Sequence, residues 1–368
     1  MKIKSVSIRR LQMRMKEPFE TSFGREEDKD FLLIRVDTGH VQGYGECTAS
    51  FEPLYSEETT DTAWSMLSTF FVPAVLGKEI THPDEIRTLL GHFRRNQMAK
   101  SALETAIWDA FAKEQGISLS HALGGLKEEI DVGISIGIQP TTMHLLRKIE
   151  GYLVQGYKRI KVKIRPGLDI DIFRAVRKEF PDIPMMADAN SAYRLEDLPH
   201  LLTFDDYDLM MIEQPLGHDD MIDHAVLQAQ LRTPICLDES IHSTEDARKA
   251  ISIGACKVIN VKIGRLGGLT ESRELQQLCI EHHVPVWCGG MLEAGVGRLT
   301  NMAVTSLPGF VLPGDTAPSA RYFDEDIIDP PVTFAKPGVL AVPSQPGIGA
   351  VVREDRVERY TVDRIELR

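Results

Sequence analysis

Polar and apolar positions alternate at the front of the chain. Ile3-Lys-Ser-Val-Ser-Ile8 reads as strand, and Phe31-Leu-Leu-Ile-Arg-Val36 is rich in residues that suit a pleated surface, so strands are expected over 3–15 and 30–37. Between them lies Glu17–Gly24, a turn-rich stretch with two aromatics, Phe19 and Phe23. Helical spacing follows at 57–70, 83–95 and 98–115. In the last of these, Ala102, Leu103, Ala106, Ile107, Ala110 and Phe111 form one apolar stripe. The front section is therefore α+β.

From residue 130 the pattern changes. Short β-branched segments begin near Asp131, Arg159, Pro184, Asp208, Pro234, Lys257, Val284 and Phe310, at intervals of 23 to 28 residues, each followed by a helical segment. Regular alternation of strand and helix implies parallel strands joined by right-handed crossovers. Eight such units imply a closed α/β barrel of the TIM type. An open doubly wound sheet would carry a glycine-rich phosphate loop after its first strand, and Ile136-Gly-Ile-Gln-Pro140 is not one. The expected organisation is a cap over residues 1–125, a barrel over 126–320, and a tail over 321–368 that returns to the cap.

The chain has 368 residues, a formal net charge of -12, 43% hydrophobic and 26% charged residues. That is ordinary for a globular protein, and the acidic balance argues against a nucleic-acid partner. No signal-peptide core or membrane-length apolar run is visible, so a cytoplasmic protein without a membrane partner is expected. The five cysteines (Cys47, Cys236, Cys256, Cys279, Cys288) show no paired spacing and read as buried free thiols.

Chemistry concentrates at strand ends. Met186-Ala-Asp188, Ile212-Glu213 and Cys236-Leu-Asp238 place Asp188, Glu213 and Asp238 at intervals of 25 residues, one barrel unit each. A single aspartate there reads equally as a cap for the following helix. Three in succession are expected at equivalent heights, converging on the mouth where barrel active sites sit. Unpaired, they would repel one another, and a divalent cation resolves the conflict. All-oxygen ligation suits Mg2+, with Mn2+ as a substitute.

Two strands carry lysines. In Arg159-Ile-Lys-Val-Lys163 and Val258-Ile-Asn-Val-Lys262, alternation turns Lys161, Lys163, Asn260 and Lys262 inward. Buried ammonium groups need compensation, and the three acids provide it. The second and sixth strands lie across the barrel from each other. The pair therefore suits removal of a proton beside a substrate carboxylate, one lysine as base and the other as cation. Lys161 and the metal would lower the Lys163 pKa toward the working range. Gly289–Glu293 and Gly264–Gly268, which includes Arg265, read either as ligand-binding loops or as plain turns.

These residues, with the helix region Ala99–Gly124, resemble the enolase superfamily in its muconate lactonizing subgroup. Met98-Ala-Lys-Ser-Ala-Leu-Glu, Met211-Ile-Glu-Gln-Pro, Ile235-Cys-Leu-Asp-Glu-Ser and Trp287-Cys-Gly-Gly-Met-Leu-Glu are similar to the branch that holds o-succinylbenzoate synthases and N-acylamino acid racemases. The resemblance covers essentially the whole chain. It implies a modified TIM barrel, (β/α)7β-like, with an α+β cap whose loops Phe19–Arg25 and Ser50–Tyr55 choose the substrate. It implies Lys163 and Lys262 as acid/base catalysts assisted by Lys161, and Asp188, Glu213 and Asp238 as Mg2+ ligands. It places substrate contacts at Ser135, Asn190, Arg265, Gly290 and Met291. The implied reaction is syn dehydration of a cyclohexadiene carboxylate in menaquinone biosynthesis, with racemisation of N-succinylamino acids as a second activity. The alternatives are a primary N-succinylamino acid racemase, a muconate-type cycloisomerase, or a barrel kept only for binding. A small carboxylate substrate and a homo-oligomer are expected. The His–Asp pair of mandelate racemase-like members is absent, and Pro313-Gly-Asp-Thr316 replaces the Asp-x-Asp of dipeptide epimerases.

Overall fold

A computed structural model describes residues 1–22 and 24–368; Phe23, in the expected cap loop Phe19–Arg25, lies outside the described residues. The front section opens with β1 (Ser5–Glu20), β2 (Arg25–Asp37) and β3 (Gln42–Cys47). They form an antiparallel sheet whose fourth strand, Thr361–Leu367, comes from the tail and pairs with β1. Both expected strands extend further than predicted. The third was not predicted, because Gly43 and Gly45 interrupt its apolar pattern. Those glycines have a packing role. A Cβ at Gly45 would lie 2.0 Å from the carbonyl oxygen of Ala102, so only glycine lets β3 approach the helix Gln97–Glu114.

The two faces of β2 serve two cores. Leu32 and Ile34 pack with Leu103, Ala106 and Ile107 inside the cap. Phe31 and Leu33 join Leu11, Met13 and Met15 in the core that runs on into the barrel. The period of two along β2 thus divides the sheet between its own helix and the barrel beneath it.

After β4 (Glu129–Asp131), which pairs antiparallel with tail residues Val339–Ala341, the barrel strands follow. They are β5 (Gly133–Ile136), β6 (Arg159–Lys163), β7 (Met185–Asp188), β8 (Ile212–Glu213), β9 (Ile235–Leu237), β10 (Val258–Val261) and β11 (Val286–Cys288), all parallel and in sequential order. The eighth segment is not a regular strand. It closes the barrel through single bridges, Val286 with Phe310 and Val132 with Gly314. Two backbone bonds tighten the seam, Gly133 N to Gly314 O at 2.7 Å and Asp315 N to Cys288 O at 2.9 Å. The expected first strand near Asp131 is divided, its start being β4 outside the barrel and its remainder β5. Two expected helices also differ. The one predicted over 83–95 spans only Glu85–Leu90, and the one predicted over 57–70 runs on through a π turn at Leu67–Phe71 to Val75.

Cap carboxylates fix the cap on the barrel. Glu104 accepts from the backbone N–H groups of Leu269 and Thr270, where the helix Leu269–Glu281 begins. Glu46 accepts from Ala294 and Gly297, both at 2.8 Å, at the start of Gly295–Thr305. Each satisfies donors that a helix start leaves open, and each sets a carboxyl at the positive end of the helix dipole. No helix among the described residues is long and apolar enough to cross a membrane.

Candidate functional site

Inside the barrel, the inward positions of successive strands form layers. Met186, Met211, Cys236, Val258 and Trp287 make an apolar floor. Two positions further along four of those strands come the polar residues Asp188, Glu213, Asp238 and Asn260. Strand pairing sets Lys163 beside Asp188 and Asp188 beside Glu213. Glu213 pairs with Cys236, so Asp238 stands two residues beyond the register of the other two acids. The equal sequence interval therefore does not give equal height across all three.

The acids are not helix caps. The helical segment after Asp188 begins at Leu195 with Arg194 at its N-cap, the helix after Glu213 begins at Ile222 with Met221 there, and Thr244–Ser252 after Asp238 is capped by Ser243. Each strand-end acid instead faces a buried cation. Lys163 Nζ donates to Asp188 Oδ2 and to Asn190 Oδ1, both at 2.6 Å. Lys161 Nζ lies 3.2 Å from Asp188 Oδ2, 3.0 Å from Glu213 Oε2 and 3.0 Å from Asp315 Oδ2. Asn260 Nδ2 donates to Glu213 Oε1 at 2.8 Å. Across the barrel, Lys262 Nζ donates to Asp238 Oδ2 at 2.8 Å and to the Tyr55 hydroxyl at 3.0 Å.

Electrostatics follow from this packing. Burial opposes the Lys161 ammonium, but Asp315, Glu213 and Asp188 outweigh it and hold its pKa above the usual lysine value. Lys262 is raised in the same way, burial being outweighed by Tyr55, Glu239 and Glu213. Burial alone would raise Asp188, yet Lys163 and Lys161 keep it below the ordinary carboxylate range. Glu239 moves the other way, raised by burial and by the nearby Asp188.

Turns at the mouth hold these groups through backbone strain. Asn190, Ser191, Gln214 and Leu292 all have positive φ, between 38° and 64°. Non-glycine residues adopt that conformation at a cost, and such strain gathers at functional sites. Asn190 gains from it. Its backbone N–H meets Asp188 Oδ1 at 3.0 Å while its side chain bridges Lys163 and Glu239.

A cavity of about 440 Å³ opens over this layer, between barrel and cap. Lys161, Lys163, Lys262, Ser135, Asn190, Gly290 and Met291 all line it, together with cap residues from both expected loops. Ser135 Oγ is buried there without a hydrogen-bond partner among the described residues. Arg265, expected at the substrate, is placed differently. It does not line the cavity but is buried against Asp238, the Tyr55 hydroxyl and the carbonyl oxygens of Ile241 and Asn260. Its guanidinium finds four acceptors, three in the barrel and one on the cap loop, and that satisfies it better than an open loop does.

Asp188, Glu213 and Asp238, with the buried and unpartnered Oε2 of Glu239 nearby, are oxygen donors of the kind a hard divalent cation takes. As placed, no three carboxylate, imidazole or thiolate donors among the described residues enclose an ion. Lysine ammonium groups stand between the acids instead. Lys161 already bridges Asp188 and Glu213, so positive charge at this point is what the donor set accommodates.

Three residues of the site, Asp315, Arg159 and Trp287, were not anticipated. Asp315, on the closing segment, binds Lys161 and also Arg159, whose Nη2 lies 2.7 Å from Asp315 Oδ1. Burial pushes the Asp315 carboxyl up, but Arg159 and Lys161 overcome this and hold it at about 2. Arg159 and Lys161 both lie over the Trp287 ring, at 4.7 and 4.9 Å from its centroid. A Cβ at Gly133 would stand 2.6 Å from the Arg159 guanidinium, so glycine there makes room for the buried cation. Tyr55 ends the expected cap loop Ser50–Tyr55 and reaches into the barrel. Its hydroxyl donates to Asp238 Oδ1 at 3.1 Å, and Lys262 Nζ lies 4.2 Å from its ring centroid.

Known proteins share this architecture throughout. Residues 3–124 match the model of the mandelate racemase / muconate lactonizing enzyme N-terminal domain, and residues 144–356 that of the enolase C-terminal domain-like family. An o-succinylbenzoate synthase of Geobacillus kaustophilus is 56% identical over 360 residues, 98% of this chain and 96% of that protein. An N-succinylamino acid racemase of Thermus thermophilus is 46% identical over 362 residues, 98% of each. A crystal structure of an enolase superfamily member from Listeria innocua superposes with a TM-score of 0.96 at 43% identity, covering 100% of this chain and 99% of that one. The chain belongs to the mandelate racemase / muconate lactonizing enzyme family of the enolase superfamily.

Proposed function

We propose that the protein is an o-succinylbenzoate synthase that also racemises N-succinylamino acids. The observation that carries this reading is the pair of buried lysines, Lys163 and Lys262, on opposed strands beside Asp188 and Asp238. Relatives named for each of the two activities, at 56% and 46% identity, support it.

Asp188, Glu213 and Asp238 would hold Mg2+, with Mn2+ as a substitute. When bound, the metal supplies positive charge to the substrate carboxylate. Lys163 Nζ takes the proton from the carbon beside that carboxylate. Lys262 Nζ, as an ammonium, faces the opposite side and offsets the charge that develops. In dehydration, the proton held on Lys163 Nζ passes to the departing hydroxyl on the same face, and water leaves. In racemisation, Lys262 Nζ gives a proton to the face opposite the one Lys163 deprotonated. Lys161 remains a cation, held by Asp315 and Glu213. Ser135 Oγ and the backbone at Gly290–Met291 contact the substrate, and Asn190 keeps Lys163 directed into the cavity. The cap over 1–125 and the returning tail over 321–368 exclude water. A cytoplasmic homo-oligomer belongs to the same reading.

The test is direct assay of purified protein with Mg2+. The substrates are 2-succinyl-6-hydroxy-2,4-cyclohexadiene-1-carboxylate and, separately, N-succinylamino acids. Turnover of both is expected; turnover of neither sinks the proposal.

A further inference from the structure

The cavity has a second charged end. On its cap side Arg25 and Lys29 stand among Glu26, Glu27, Asp28 and Asp30, and with Lys161, Lys163 and Lys262 they are the five cationic side chains that line the cavity among the described residues. Four have close acceptors. The three barrel lysines hold the carboxylates described above, and Arg25 pairs with Glu27 at 3.0 Å. Lys29 is different. It lies on β2 with the parity of Phe31 and Leu33, so it points toward the barrel, and only 1% of it is exposed. The nearest carboxylate to its ammonium is Glu26 at 3.7 Å, beyond hydrogen-bond reach. Glu46 feels its charge, but both Glu46 oxygens are engaged by the backbone N–H groups of Ala294 and Gly297.

A buried ammonium without a hydrogen-bonded acceptor is costly, and a ligand anion offsets that cost. A second ligand carboxylate, remote from the reacting carbon, is the anion that a cation at the cap side of this cavity recognises. We infer that Lys29 is a specificity-determining residue that binds the distal carboxylate of a dicarboxylate substrate. The inference rests on the proposed function for which end of the substrate reacts. Lys29 then separates succinyl substrates from acyl substrates of equal length that end in methyl.

The test compares N-succinylphenylalanine with N-butyrylphenylalanine, which replaces the distal carboxylate by methyl. Wild type, Lys29→Met and Lys29→Arg are assayed for racemisation. Wild type should prefer the succinyl substrate. Lys29→Met should lose about tenfold or more of that preference, through KM, as expected when one partner of a buried charge pair is removed. Lys29→Arg should keep most of it, and Lys29→Met should melt close to wild type, since it loses only the long 3.7 Å contact with Glu26 and no hydrogen bond. Equal losses on both substrates, or no wild-type preference, overturn the inference. If wild type turns over neither, the proposed function fails by itself, and Lys29 is judged by calorimetric binding of o-succinylbenzoate against 2-butyrylbenzoate. A wild-type preference that narrows in Lys29→Met supports the inference; an unchanged ratio, or no binding, overturns it.

Discussion

Asp315 Oδ2 lies 3.0 Å from the ammonium of Lys161, joining the segment that closes the barrel to the strand that carries the base. The same carboxylate binds Arg159 through its other oxygen, so one anion serves two buried cations. Asp315→Asn should destabilise the protein by about 3 kcal/mol, the scale for a broken buried ion pair. Thermal and denaturant melts measure this. The double variant Arg159→Met/Asp315→Asn should lose less than the sum of the two single changes, because the two residues share one interaction. Additive losses would separate them.

Tyr55 links the cap loop to the chemistry. Tyr55→Phe keeps the ring over Lys262 but removes the hydroxyl shared by Asp238, Lys262 and Arg265. We expect kcat/KM to fall roughly tenfold, the scale of one hydrogen bond to charged groups, with little change in melting temperature. Tyr55→Leu, which also removes the ring, should fall further. Steady-state kinetics of the two variants decide this, and equal activity in all three proteins would remove Tyr55 from the site.

Glu58 provides a pH signature away from the barrel. It accepts from the backbone N–H groups of Met98 and Ala99, but burial dominates and pushes its carboxyl up to about 7. Between the ordinary glutamate pKa and 7, the unfolded chain loses this proton while the folded chain keeps it. The contribution is therefore fully present below about pH 4.5 and is lost as pH rises through 7, by at most about 3 kcal/mol. Glu58→Gln should be less stable at low pH, having one acceptor oxygen fewer, and should show a flatter decline across that window. Melting temperatures at pH 4.5, 6 and 7.5 for both proteins test this; parallel curves would contradict it.

Metal dependence has a readout apart from turnover. If Asp188, Glu213 and Asp238 hold Mg2+, chelation should abolish activity, and added Mg2+ or Mn2+ should restore it. The metal should also raise the melting temperature in proportion to the logarithm of its concentration. Asp238→Asn should blunt that rise. A melting temperature indifferent to metal would count against these ligands.

Much of the site was legible in residue order because strand parity and the repeat of the barrel unit are local rules. Lys161, Lys163, Asn260 and Lys262 face inward as alternation requires, and the cap divides its core by the same rule. What escaped was set by tertiary contact. The repeat placed the closing segment near Phe310, but the role of Asp315 on it escaped, because its partner Arg159 is 156 residues away. β3 was hidden by glycines that serve a helix across the sheet. Arg265 read as a substrate contact or part of a plain turn, because three of the four acceptors that bury it, Asp238, Ile241 and Tyr55, are distant in sequence.

The central claim is that Lys163 and Lys262 serve opposite faces of one carbon. It is tested most directly by α-proton exchange of each enantiomer of an N-succinylamino acid in deuterated water, followed by NMR. Lys163→Ala should abolish exchange of one enantiomer while some exchange of the other persists, and Lys262→Ala should do the reverse. Exchange of both enantiomers in Lys163→Ala at wild-type rates would contradict the two-lysine account.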